Sequence, residues 1–240
     1  MIYFIHKKQT PTQFLWTSEQ TGYLHLELHN FNTKKLIKTL TNGTWIVQRI
    51  FDVDEINSIV YFIINREASL EIHLYAINYN DEIPTIDRIT QESGCHVVHC
   101  FNQTYQYYHI QQGLLQTIEQ FHLVKPELCS ILNRNNDTLY CTLYKPDKEQ
   151  GIYQTTYPAL VSIYGGTHLQ RYENDIYRVY VVLCLDNRGS ANRGVVFESS
   201  IKHDMGHLEL DDQLDGVLHL IKQDITDEIR VGIYGWSYGG

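Results

Sequence analysis

The sequence predicts a chain with two architectures, an all-β first half and a second half in which strands and helices alternate. Short runs of β-branched and aromatic residues alternate with turn residues as far as residue 124. Longer uninterrupted apolar runs follow from residue 125, together with one segment of helical spacing. These observations divide the chain into residues 1–124 and residues 125–240.

The first half contains an internal repeat. Two of its strand candidates, Gly22–Leu28 and Glu71–Ile77, each contain a His-Leu pair. The two histidines, His25 and His73, lie 48 residues apart. A period of roughly 40–50 residues is typical of four-stranded propeller blades. Residues 1–124 therefore predict a partial β-propeller of about two to three blades, fewer than a closed propeller contains. The strand candidates are Gln13–Ser18, Gly22–Leu28, Ser58–Ile64 and Glu71–Ile77.

The second half contains the elements of an α/β fold. A hairpin is predicted where the turn sequence Asn-Asn-Asp separates two apolar runs. Two continuous apolar runs suit strands buried in a parallel sheet, and a segment of helical spacing leads to a third central strand, which completes a βαβ unit. In chain order these elements are Glu127–Arg134 and Thr138–Pro146 (hairpin), Pro158–Gly166 and Val179–Ser190 (buried strands), Asp211–Gln223 (helix) and Ile229–Gly235 (last strand).

Composition excludes several classes of function. The net charge is −9 and no basic block is present, so nucleic acid and anionic membranes are not expected partners. The longest apolar run, Val179–Leu185, is too short to span a membrane. The apolar start of the chain is too short for the core of a signal peptide. The five cysteines are scattered and odd in number, which favours reduced thiols and a cytoplasmic protein.

The last apolar run leads into Gly-Trp-Ser-Tyr-Gly, which fits the G-x-S-x-G pattern of a nucleophile elbow. A sharp turn after a strand would raise the hydroxyl of Ser237 above the sheet. Gly235 and Gly239 leave room for the close backbone contacts of such a turn. The N–H of Tyr238 would then point toward a developing oxyanion. A glycine-rich turn with an idle serine is the alternative interpretation.

Five stretches along the chain together carry a resemblance to a known family. They are "WTSEQTGYLHLEL", "LYCTLYKP", "IYGGTHLQ", "LDNRGSANRGVVFESSIKHDMGHLELDDQLDG" and "GWSYGG". Together they resemble the dipeptidyl peptidase IV family of serine peptidases, within the prolyl oligopeptidase group, and lean toward its cytosolic dipeptidyl peptidase 8/9 branch. The resemblance implies a partial β-propeller followed by a partial α/β-hydrolase domain that ends at the nucleophile elbow.

The resemblance also implies roles for three residues. Ser237 would be the nucleophile that forms an acyl-enzyme. Tyr164 would donate its hydroxyl, and Tyr238 its backbone N–H, to the oxyanion. The implied substrates are peptides with a penultimate proline or alanine, no cofactor is implied, and the complete protein would form a homodimer. For Tyr164 the alternative is an aromatic side chain that packs at the end of a strand.

Parts of the family's catalytic machinery have no match in the chain. All twelve histidines precede Ser237, whereas α/β-hydrolases carry the acid and the histidine after the nucleophile. The Glu-Glu pair with which the family binds the substrate amine does not occur. Residues 167–178 form a shorter connection than the family's own. The chain is therefore expected to be an inactive fragment, and a non-catalytic propeller-based binding module or pseudoenzyme is the second hypothesis.

Two clusters of potential metal ligands are expected to be structural. On a strand, the ligands in "CHVVHC" at residues 95–100 would point to both faces and would not converge. His203 and His207 lie four residues apart, but the glycine between them argues against a regular helix. No metal site is therefore predicted. Arg188 is expected to form a structural ion pair with Asp186 or a neighbouring acid.

Overall fold

The computed structural model describes residues 2–5, 12–68, 70–94, 96–101, 104–109, 126–146, 156–163, 179–235 and 239. The chain divides into two compact units. The β unit comprises Met1–Leu115 and Asn192–Val196, and the α/β unit comprises Gln116–Ala191 and Phe197–Gly240. The domain boundary predicted between residues 124 and 125 lies outside the described residues and stays a prediction.

Two four-stranded antiparallel sheets make up most of the described β unit. In each sheet, strands that are neighbours in sequence pair with each other, as in a propeller blade. The first blade contains β1 (Ile2–Ile5), β2 (Gln13–Ser18), β3 (His25–Asn30) and β4 (Leu36–Thr39). The second blade contains β5 (Val47–Asp54), β6 (Ile59–Ile64), β7 (His73–Asn78) and β8 (Ile86–Arg88). A hairpin of β9 (His96–Phe101) and β10 (Thr104–His109) follows.

The two blades repeat the same side-chain arrangement, which confirms the predicted internal repeat. In the first blade, Nδ1 of His25 lies 3.1 Å from Oγ1 of Thr41, and the N–H of the next residue donates to that oxygen at 2.8 Å. In the second blade, Nδ1 of His73 lies 3.2 Å from Oγ1 of Thr90, and the next N–H donates to it at 3.1 Å. The histidine and threonine thus join the third strand of each blade to the segment that follows its fourth strand.

The two blades pack face to face through an apolar core. Alternation along each strand directs every second side chain toward the neighbouring blade. The first blade contributes leucines from β2 and β3, and the second contributes aromatic and β-branched residues from β5, β6 and β7. Several of these side chains are 0% exposed, including Leu15, Leu26, Val60, Phe62 and Ile64.

A five-stranded sheet forms the centre of the α/β unit. Its strands are β11 (Glu127–Leu132), β12 (Thr138–Tyr144), β13 (Tyr157–Ile163), β14 (Val181–Asp186) and β15 (Thr226–Gly235), in the spatial order β11-β12-β14-β13-β15. β11 and β12 form the predicted antiparallel hairpin, and β13 lies parallel to both β14 and β15. Among the described strands β15 pairs with β13, and the predicted central position of Ile229–Gly235 stays a prediction.

The predicted helix is confirmed, but its buried side is more polar than its apolar spacing indicates. A single turn, α1 (Val195–Glu198), precedes the longer α2 (Leu208–Lys222). In α2, Asp212 and Gln213 are buried, whereas Leu214 and Leu218 are 47% and 51% exposed. Acidic residues in its first turn and basic residues in its last turn stabilise the helix by interacting favourably with its dipole. Within the described parts of the chain, no helix is long and apolar enough to cross a membrane.

A buried ion pair explains the polar side of α2. Asp212 is 0% exposed and receives hydrogen bonds from Arg188, at 2.7 Å from its backbone N–H and 2.8 Å from Nη2. The side-chain amide of Asn133 donates to the same carboxylate at 2.9 Å. This arrangement confirms the predicted structural ion pair of Arg188 and assigns its acid, which is Asp212. The carboxylate also raises the pKa of the Arg188 guanidinium.

The expectation that the cysteines are reduced is wrong for one pair. Cys129 in β11 and Cys141 in β12 lie directly opposite each other, with their Cα atoms 5.1 Å apart, and form a disulfide. The number and spacing of cysteines in a sequence do not indicate which of them a hairpin brings together. Cys184 is free, and burial raises the pKa of its thiol.

Candidate active site

The ends of two neighbouring parallel strands define the candidate site. In β13 and β15, Ile163 pairs with Gly235, so both strands reach their carboxyl ends at the same edge of the sheet. Adjacent strands lie about 4.8 Å apart. Tyr164 follows Ile163 directly, and Ser237 follows Gly235 by two residues, which span at most ~7 Å. Tyr164, Ser237 and Tyr238 themselves lie outside the described residues.

The backbone of Gly239 lies close to that of Gly235, the last residue of β15. A Cβ atom built on Gly235 would collide with the carbonyl group of Gly239, only four residues later. Residue 235 must therefore lack a side chain if the chain is to fold back in this way. This close approach is the backbone property that a strand-to-helix elbow requires.

Polar contacts at the amino ends of β13 and β15 hold the two strands in register. The hydroxyl of Thr226 donates to the carbonyl oxygen of Tyr157 at 2.7 Å. The guanidinium of Arg230 donates to the carbonyl oxygen of Thr156 at 3.1 Å and to Asp227 at 2.7 Å. The hydrogen bond from Arg230 lowers the pKa of the Asp227 carboxyl. The strands are thus fixed at the end opposite to the candidate site.

The loop after β14 lies at the same edge of the sheet, and hydrogen bonds from α2 hold it in place. The side-chain amide of Gln213 donates to the carbonyl oxygen of Leu185 at 3.2 Å and to the side chain of Asn187 at 3.1 Å. Gly189 has a φ of +93°, a backbone conformation that residues with a side chain rarely adopt. A Cβ there would also lie 2.5 Å from the side chain of Ile201. The "DNRG" stretch therefore has a fixed structural role beside the candidate site.

The sequence did not indicate the residues that position this loop. Asp212 follows Arg188 by 24 residues, and no local spacing connects the two. The available signal lies within α2, where Asp212, Gln213, Gly216 and Leu220 recur on one side of the helix and are all buried. A polar pair aligned with a glycine and a leucine indicates a helix face that packs closely on a polar loop.

The two clusters of potential metal ligands contribute hydrogen bonds within the fold. Nε2 of His96 lies 2.7 Å from the carbonyl oxygen of Glu92, and Cys95 lies outside the described residues. Nδ1 of His207 lies 2.7 Å from the exposed carboxylate of Asp204. In the part of the chain that the structure describes, no three histidine, cysteine or acidic side chains are placed to share a metal ion.

Two family profiles match the chain. Residues 1–113 match the family profile "Dipeptidyl peptidase IV (DPP IV) N-terminal region". Residues 172–240 match the profile "Prolyl oligopeptidase family". The two profiles fall on the β part and the α/β part of the chain in the order that the sequence predicts.

The chain is also similar to individual dipeptidyl peptidases. Dipeptidyl peptidase 8 of Mus musculus is 33% identical over 250 residues, covering 84% of this chain and 28% of the relative. Dipeptidyl peptidase 4 of Trichophyton equinum is 26% identical over 263 residues, covering 93% of this chain and 33% of the relative. The chain therefore spans about a third of the length of these relatives.

A solved structure shows the same fold. The crystal structure of Porphyromonas gingivalis dipeptidyl peptidase 4 matches with a TM-score of 0.77 at 23% identity, covering 95% of this chain and 36% of that chain. Together with the blade sheets and the β11-β12-β14-β13-β15 order, this match confirms the predicted fold class. A partial β-propeller precedes part of an α/β-hydrolase fold.

Proposed function

The chain belongs to the dipeptidyl peptidase IV family of serine peptidases, within the prolyl oligopeptidase group, and from this premise we propose that it carries the nucleophile of a dipeptidyl peptidase. The complete enzyme would release X-Pro or X-Ala dipeptides from peptide N-termini. The observation that carries the proposal is the register of β13 and β15, which brings the residues before Tyr164 and Ser237 to one edge of the sheet.

In the proposed mechanism, Oγ of Ser237 attacks the carbonyl carbon of the penultimate residue. The C–N bond that follows this residue breaks, the rest of the peptide leaves as an amine that takes up a proton, and the dipeptide stays on Ser237 as an acyl-enzyme. The hydroxyl of Tyr164 and the backbone N–H of Tyr238 donate hydrogen bonds to the oxyanion. A phenol keeps its proton at neutral pH, so Tyr164 is a suitable neutral donor. No cofactor takes part. The Ser237 proton must pass to a histidine base, which in α/β-hydrolases follows the nucleophile.

Three further statements belong to the same proposal. Residues 1–124 form the partial propeller, and residues 125–240 form the N-terminal part of the catalytic domain. The complete protein acts in the cytoplasm, an assignment supported by the resemblance to the cytosolic dipeptidyl peptidase 8/9 branch. It also forms a homodimer, as the family resemblance implies.

The 240 residues alone are expected to be inactive, because all twelve histidines precede Ser237. Loss of triad residues lowers kcat by about 10⁴–10⁶ in serine peptidases. The measurement is hydrolysis of Gly-Pro-p-nitroanilide by the purified chain and by its Ser237→Ala variant. Turnover by the chain that disappears in the variant would show that this expectation is wrong.

The proposed activity itself is tested on a longer product. The coding sequence after codon 240 is determined, and an open frame that encodes an aspartate followed by a histidine is expected. The extended protein should hydrolyse Gly-Pro-p-nitroanilide, and Ser237→Ala should abolish that hydrolysis. A stop codon, or an extended protein without Ser237-dependent turnover, would instead support the second candidate, a non-catalytic propeller-based binding module.

A further inference from the structure

One loop of the first blade is held at two points by a single histidine. Residues 41–45 follow β4 and lead into the second blade, and we call them the His25 loop. Nδ1 of His25 lies 3.1 Å from Oγ1 of Thr41, and Nε2 lies 2.9 Å from the carbonyl oxygen of Gly43. The ring of Trp45 packs edge-on against the same imidazole, with the ring centroids 4.8 Å apart. His25 thus fixes the loop on both sides of Asn42.

Asn42 and Gly43 form the only Asn-Gly pair in the sequence. Both residues are exposed, so water reaches the Asn42 side chain and the backbone that follows it. In such a pair the backbone nitrogen of the second residue attacks the side-chain amide carbon of the first. A Cβ atom on the second residue crowds this approach, and glycine has none. The pair therefore combines a reactive amide with an unhindered nucleophile.

The fold requires the glycine of this pair. Gly43 has a φ of +137°, a backbone conformation that residues with a side chain rarely adopt. A Cβ atom built on Gly43 would also collide with the indole of Trp45. The backbone that lets the Gly43 carbonyl reach His25 is therefore the same backbone that places a glycine after Asn42.

The second blade contains the equivalent loop without the reactive pair. Oγ1 of its threonine, Thr90, lies 3.2 Å from Nδ1 of His73. Gln91 and Glu92 follow, and the carbonyl oxygen of Glu92 again lies close to a histidine, 2.7 Å from Nε2 of His96. A glutamine side chain is one methylene longer, and Glu92 places a Cβ beside the attacking nitrogen. The two loops share their histidine contacts and differ in the bond that is able to rearrange.

From these contacts we propose that Asn42 is a self-modification site, at which the folded chain converts asparagine to isoaspartate or aspartate. The backbone nitrogen of Gly43 forms a bond to Cγ of Asn42 and gives up its proton, and the side-chain nitrogen leaves as ammonia. The product is a cyclic succinimide. Water then opens the ring: cleavage of the Cγ–N bond gives aspartate, and cleavage of the backbone C–N bond gives isoaspartate.

The reaction consumes only water, and it does not depend on the proposed peptidase activity. Isoaspartate routes the backbone through Cγ and so adds one carbon to the path between Thr41 and Gly43. Thr41 is 2% exposed, and its hydroxyl also accepts a hydrogen bond from the N–H of Leu26 at 2.8 Å, so this end of the loop is fixed. The contact between Gly43 and His25 is therefore the one that isoaspartate breaks. Aspartate keeps the original backbone path and adds only a charge at an exposed position.

The first measurement is the rate of conversion in the full chain. The purified protein is incubated at mildly alkaline pH and digested, and its peptides are analysed by mass spectrometry. Isoaspartate is identified by its methylation with an isoaspartyl methyltransferase. Conversion at Asn42 should be about tenfold faster than at Asn32, an exposed asparagine of the same blade that precedes Thr33. Asn42→Gln, which copies Gln91 of the second blade, should block conversion at this position.

The second measurement is the stability of the converted chain. The isoaspartate form is isolated by chromatography and unfolded in urea. Its midpoint should be lowered by about 0.3–0.5 M, as expected for the loss of one hydrogen bond. Asn42→Asp is the matched control, because it carries the same charge on an unchanged backbone. Its midpoint should shift by less than about 0.2 M.

Two results would overturn the proposal. The first is conversion at Asn42 that is no faster than conversion at Asn32. The second is an isoaspartate form whose urea midpoint equals that of Asn42→Asp, which would show that the added backbone carbon leaves the contact with His25 intact.

Discussion

Replacing Asp212 with asparagine should destabilise the chain strongly, because it leaves a buried arginine without its counter-charge. Asp212 is 0% exposed and the side chain of Arg188 is 8% exposed. Removal of one partner of a buried ion pair costs about 3–5 kcal/mol. Asp137 and Asp211 also attract the Arg188 guanidinium, so we expect the lower end of that range, about 3 kcal/mol.

The assay is urea unfolding of the full chain followed by circular dichroism. With an m value of about 2–3 kcal/mol/M, a loss of about 3 kcal/mol lowers the midpoint by about 1–1.5 M. Glu127→Gln is the matched control, because Glu127 pairs with Lys145 and the two side chains are 58% and 38% exposed. An exposed ion pair contributes about 0–1 kcal/mol, so the control should move the midpoint by less than about 0.5 M.

A double variant separates the effect of the lost charge on stability from the effect of the changed side-chain shape. Arg188→Met combined with Asp212→Leu removes both charges, and replacement of a buried pair by apolar residues is often neutral. The double variant should therefore be more stable than Asp212→Asn alone. The reasoning is refuted if Asp212→Asn costs no more than Glu127→Gln, or if the double variant unfolds at a lower urea concentration than the single one.

Two further predictions concern pH and redox conditions. Burial lowers the pKa of the His25 imidazole below the ~6.5 of an unfolded chain. The unfolded state therefore binds more protons as the pH falls. The stability present above about pH 6.5 is lost below it. His25→Gln should reduce this loss in urea titrations between pH 7.5 and pH 5.5, whereas the exposed control His203→Gln should not. Reduction of the Cys129–Cys141 disulfide should lower the free energy of unfolding by about 3 kcal/mol, given its short loop. Urea titrations with and without a phosphine reductant should differ for the native chain and agree for Cys129→Ser.

The local elements of the fold could be predicted from the sequence with few errors. The hairpin of β11 and β12, the helix α2 and the repeat marked by His25 and His73 were all recognisable from period, turn residues and composition. The same local signals placed Ser237 after a strand whose neighbour leads to Tyr164. The roles of Ser237, Tyr164 and Tyr238 stay predictions, because these residues lie outside the described ones.

Other features could not be predicted, because they depend on residues far apart in the chain. The partner of Arg188 is not the adjacent Asp186 but Asp212, which a turn of α2 brings beneath the loop. Two leucines of α2 are exposed even though their spacing is that of an apolar helix face. Which side chains of a helix are buried depends on the element that packs against it, and amphipathic periodicity does not indicate that element.

By itself the sequence determined the types and order of the elements, the family, and the place of a serine nucleophile motif after a strand. These properties depend on period, turn chemistry and short motifs, each of which occupies a few consecutive residues. Only the tertiary structure decided the order of the described sheet strands, the Cys129–Cys141 pairing and the exposure of Leu214 and Leu218. These features arise from packing between distant segments, where one residue's burial depends on another's position and not on its own neighbours in sequence.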